Sequence, residues 1–123
     1  GGASLLVMMI AALVGVAMIA VGSLATLYGA RLHASTAADA AALAAAVGTY
    51  PPAGAGAPTT EARRYALANG AILVDCTCDI DSSMLARTVT VLVEMKVPVP
   101  IFGVIPIRAG ARAEFDPVLW LGR

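Results

Sequence analysis

Cys76 and Cys78 stand two residues apart, with Asp75, Asp79 and Asp81 crowded around them. Two cysteines cannot complete a tetrahedral zinc site, so a metal there needs ligands from a second chain. In an extended strand, residues i and i+2 point to the same face, and their sulfurs lie too far apart for an unstrained bridge. This leaves a disulfide across a bulge, or free or intermolecular thiols; a bridge is chemically permitted outside the cytoplasm. A thioredoxin-like redox site wants C-x-x-C at a helix start, and the C-x-C here does not fit. The aspartates lack the glycine and bidentate glutamate of a calcium loop and fit turn chemistry. His33 is the only histidine, so neither a Ser-His-Asp nor a Cys-His set can be assembled with a second base. With no glycine-rich phosphate loop either, the expectation is a protein that is not an enzyme, with no catalytic residue, metal or cofactor.

The chemistry-poor composition points elsewhere. Hydrophobic residues make up 59% of the 123 and charged residues 13%, against about 45–50% and about 25% in ordinary globular domains. Net charge is zero and aromatics are sparse, so neither the basic footprint nor the stacking platforms of a nucleic-acid binder are present. Arg63 and Arg64, the only adjacent basic pair, read as the solvated face of a short helix.

No charge occurs from Gly1 to Ala30. As a helix such a run is roughly 45 Å long, where a bilayer core needs about 20 residues. Residues 31–47 are dominated by alanine, with no proline or glycine before Gly48, so one helix from near Ser4 to about Val47 is expected. Its second half must project into water or lie against other protein. Gly48-Thr49-Tyr50-Pro51-Pro52 ends it, and residues 51–58 (PPAGAGAP) read as a linker. Thr59 or Thr60 can cap a second helix with Glu61 in its first turn, stopping at Asn69-Gly70. Ala71–Ile80 reads as a strand. Val89, Val91, Val93, Met95 and Val97 alternate with polar partners in a second, and Ala109, Ala111, Ala113 and Phe115 do so in a third. Pro98, Pro100 and Pro106 confine the segment between to an edge or loop.

The expected fold is therefore α+β: a long N-terminal hydrophobic helix, then one short helix and a three-stranded antiparallel sheet. The corresponding divisions are 1–47 (hydrophobic, alanine-rich helix, a membrane anchor), 48–58 (linker) and 59–123 (head).

Gly15, Gly22 and Gly29 recur every seven residues, and Ala11 and Gly15 add a small-xxx-small spacing. Such stripes let helices approach closely in lipid, where van der Waals contact decides association. The alanines of 34–46 are expected to extend that surface beyond the bilayer. Asp39, the only acidic residue before Glu61, is either an exposed polar position or an intersubunit contact. The apolar end, Pro117 to Leu121, either folds back on the sheet or docks on a neighbour, with Trp120 as its anchor.

The apolar helix followed by STAADAAALAAAV (35–47), and the NGAILVDC run (69–76), resemble the TadE/TadG-like pseudopilins of tight-adherence (Flp-type, type IV pilus-like) loci. The resemblance implies prepilin-peptidase cleavage of a basic leader, giving Gly1 as a processed N-terminus. It also implies insertion in the cytoplasmic membrane before assembly, then a helical homopolymer at the cell surface built by pilus-assembly machinery. Type IV pilins usually carry glutamate at the fifth mature position; this chain has Leu5. The alternative expectation is a single-pass anchored accessory protein that binds partners without polymerising. A pore is disfavoured, because Ser4, Ser23 and Thr26 are too few to line a channel.

Overall fold

The computed structural model describes residues 1–122. α1 (Gly2–Gly48) is followed by a 3-10 turn (Pro51–Ala53) and α2 (Pro58–Ala68). The strands β1 (Ile72–Thr77), β2 (Arg87–Val99) and β3 (Gly103–Phe115) come next, then a short α3 (Pro117–Leu121). The sheet is antiparallel in the order β1-β2-β3. A long apolar helix, a short helix and a three-stranded meander match the expected layout.

α1 is unbroken for 47 residues because nothing in it removes a backbone donor or blocks a carbonyl. It stops where the chain must turn back on itself. A Cβ on Gly48 would lie 2.8 Å from Pro58 Cα and 2.9 Å from the Gly56 carbonyl oxygen, so only glycine admits the returning strand of chain. Thr49 then donates its hydroxyl to the Ala46 carbonyl at 2.6 Å, satisfying one of the helix's orphan acceptors.

The core lies between the second half of α1 and one face of the sheet. Ala34, Ala37, Ala38, Ala41, Ala42 and Ala45 are buried at the 3–4 residue spacing of a single helix face. All but Ala34 meet Val89, Val91 and Val93 of β2, with Ala62 and Ala66 of α2 closing the side. Small side chains on α1 bring its backbone close to the valines, and each buried valine contributes about 1.5–3 kcal/mol. The alanine face is therefore consumed within the chain. The expectation that it extends an intersubunit surface is corrected: the lower helix needs partners for its apolar stripe, and the chain's own sheet supplies them.

Two further expectations change, and a third holds with longer strands than expected. α2 begins at Pro58, its N-cap is Ala57 and no side chain caps it. Proline at the first helical position has no donor to satisfy, and the Thr59 hydroxyl instead faces the Cys78 sulfur at 3.6 Å. β1 is shorter than Ala71–Ile80 and carries a bulge between Leu73 and Asp75. The inserted residue puts Leu73 and Cys76 on the same inward face, which strict alternation would forbid. Finally, β2 and β3 run on past the prolines to pair Pro98 with Val104 and Val99 with Gly103. Pro98 lies where β2 has outrun β1, whose pairing starts at Ile72 opposite Glu94, so it occupies an open edge where no donor is needed.

Candidate membrane and assembly interface

From Gly2 to His33 nearly every residue of α1 is exposed; Leu5, Met8, Leu13 and Met18 are 64%, 70%, 68% and 71% accessible. This half is apolar all round rather than on one stripe, the pattern of a helix buried in protein or lipid. It is long and apolar enough to cross a membrane, and the chain itself buries none of its most apolar window. Thr26 donates its hydroxyl to the Gly22 carbonyl at 2.9 Å, whereas the buried Ser23 hydroxyl has no hydrogen-bond partner among the described residues.

The glycine stripe lies on open surface. A Cβ added at Gly15, Gly22 or Gly29 would meet nothing within 4 Å. By helical geometry the stripe sits roughly 130° around the axis from the face that carries the head, so a second helix can reach it without meeting the sheet. Ala11 continues the stripe and is exposed. Asp39 is exposed beyond it.

At the opposite end of the molecule Arg87 forms a cluster that has no signature in sequence. Its guanidinium donates to the carbonyls of Thr49 (3.2 Å), Ser83 (2.6 Å), Leu85 (2.8 and 3.1 Å) and Asp81. It also lies 5.9 Å from the Tyr50 ring centroid. Tyr50, Phe115 and Trp120 continue as a tilted ladder, each centroid 6.2 Å from the next. One side chain thus ties the end of α1, the 78–86 loop and the start of β2 together. Trp120 folds back on Phe115, but 38% of it, and more of Val118, Leu119 and Leu121, remains exposed.

Asp81 accepts the Ser83 amide at 2.8 Å. Hydrogen bonds from the Ser83 amide and hydroxyl, helped by the Arg87 charge and opposed by burial, hold its carboxyl below the usual carboxylate range. A depressed folded value means its stabilisation is complete above the ordinary value near 4 and is lost as pH falls through the folded value. Melting curves should therefore be flat from pH 7 to 5 and fall at lower pH. Asp81→Asn should remove part of that acid-side fall, and an unchanged profile would contradict this role.

Cys76 and Cys78 are bridged, with Cα atoms 5.5 Å apart. The bulge lies upstream at Val74 rather than between the cysteines. The bridge instead closes where β1 ends at Thr77 and the chain leaves the extended conformation. Comparison with protein-family models, with curated proteins and with solved structures gives no match for this chain.

Proposed function

We propose that this chain is a structural subunit of a type IV-like filament, held in the membrane by α1 before assembly and packed through the same helix afterwards. The observation that carries the reading is the division of α1 into two environments. Its first half is apolar and bare, with an open glycine stripe turned away from the head, whereas its second half is the backbone of the head's core. Such a subunit presents an identical helix to lipid and then to its copies, with van der Waals packing of small residues deciding association in both settings. The bridged cysteines favour a head in an oxidising compartment.

A second reading, a single-pass anchored accessory protein that never polymerises, is favoured by the buried alanine face: the head completes its core without neighbours. Electron microscopy and immunolabelling of material sheared from cells separates the two. Filaments containing this chain are expected; recovery solely as membrane-bound monomer would sink the filament reading and leave the anchored one.

A further inference from the structure

The tip of the β2–β3 hairpin lies beside α1, at the level of its uncharged half. Ile101 and Phe102 face Val16, Ile19 and Ala20, and Phe102 and Ile105 share an apolar groove with Ser23 and Leu27. The eleven residues between Lys96 and Arg108 (VPVPIFGVIPI) carry no charge. Ile101, Phe102 and Val104 are nonetheless 78%, 68% and 64% exposed. Ile101 has φ of 73°, a turn conformation that suits glycine or asparagine and strains a β-branched residue. Exposing an isoleucine there is unfavourable in water.

Charges return at one level. Arg31 of α1 and Arg108 of β3 line a common pocket with Tyr28, and Lys96 sits opposite Pro106 in the register, next to the Glu94–Arg108 pair. Arginine, lysine and tyrosine at one height are the side chains of a membrane–water boundary, where long basic stems reach back to phosphate. From this belt the hairpin descends five residues to Ile101, roughly 17 Å. α1 descends twelve residues from Arg31 to Ile19, roughly 18 Å. Both lengths fit within one leaflet of a bilayer about 40–45 Å thick including headgroups.

We propose that the hairpin tip is a second membrane-inserted element. Ile101, Phe102 and Val104 sit among the acyl chains of one leaflet beside α1, and Arg31, Lys96 and Arg108 meet the lipid phosphates. This rests on reading α1 as membrane-spanning.

Strand edges in lipid are costly because their outward N–H groups find no acceptor. The prolines lower that cost, leaving the Val104 N–H as the outward donor on β3. A proline cannot donate to its partner strand, so Lys96↔Pro106 and Pro98↔Val104 are the pairs whose amides face outward. Below the belt, Pro98 on β2 and Pro100 in the turn just past it have no N–H. On β3 Pro106 removes another.

The test uses the full chain in vesicles of phosphatidylcholine and phosphatidylglycerol, with and without brominated acyl chains. In a Trp120→Phe background, Phe102→Trp reports the tip and Leu13→Trp reports α1. Ile101→Trp repeats the tip measurement one residue away, and circular dichroism verifies folding. Bromolipid is expected to quench at least half the emission of all three variants, with aqueous acrylamide quenching little. Quenching of Leu13→Trp by bromolipid while both tip variants stay open to acrylamide would overturn the hairpin proposal and leave the anchor intact. Tip variants shielded from both quenchers would place the tip against a second copy, which also overturns it. Absence of bromolipid quenching in all three would overturn the anchor itself.

Discussion

Replacing Arg87 with methionine should lower the melting temperature of the head by about 12–24 °C. The guanidinium donates to four backbone carbonyls and is only 11% exposed. Hydrogen bonds to a charged group contribute about 1.5–3 kcal/mol each in favourable cases. Some of the freed carbonyls can be rehydrated, so a net loss of about 3 kcal/mol is expected rather than the full sum. For a unit of under a hundred residues each kcal/mol moves the midpoint by about 4–8 °C. Methionine keeps most of the stem, so the loss reports the hydrogen bonds together with the guanidinium's place over Tyr50. Arg87→Lys keeps the charge but not the fork geometry, and should recover less than half. Thermal unfolding followed by Trp120 fluorescence is the measurement; a shift within 2 °C for methionine would show that the loop is held by something else.

The second large effect is a contrast between two small-residue surfaces on one helix. Ala41 is fully buried against β2 and α2, and Ala41→Leu forces three extra carbons between close-packed elements. Overpacking of this kind costs about 1–3 kcal/mol, so the monomer should melt well below the parent. Gly22 has open space where its Cβ would be, and Gly22→Leu should leave monomer stability and membrane insertion unchanged. On the proposed function it abolishes filaments, because a leucine at the middle of the stripe holds neighbouring helices apart. Equal filament yield from Gly22→Leu would remove the stripe from assembly. Equal stability of Ala41→Leu would mean that the helix–sheet spacing is looser than the burial implies.

Much of the architecture was legible in the sequence, and the exceptions have physical causes. The uncharged run and the valine alternation of β2 report directly on environment, so α1 and the sheet could be placed within a few residues. Alanine reports poorly: it favours helix on every face and has no periodic contrast, so which of Ala34 to Ala46 pack inward is set by the sheet and not by the string. The prolines pointed to an edge or loop because proline lacks a donor. In the fold each sits where no donor is needed, and the hairpin continues. Arg87 left no trace because its partners are carbonyls of residues as distant as Thr49, and every residue type offers a carbonyl. The cysteine spacing was compatible with several pairings, and the end of β1 decided among them. The glycine stripe was legible as a pattern, while its open surroundings come only from the fold.

The unbroken course of α1 from Gly2 to Gly48 gives the chain the form of a mast, long and apolar enough in its lower half to be stepped in a membrane. Nothing between its two halves acts as a swivel, so the head takes its attitude from the part below. In a bilayer, a helix tilt of about 20° would carry Gly48, roughly 25 Å along the axis from Arg31, sideways by about 9 Å. The β2–β3 hairpin, reaching down beside the same rod, acts as a stay against that lean. A force pulling on the head would then reach the buried end along one continuous ladder of hydrogen bonds, with no joint at which it could be dissipated.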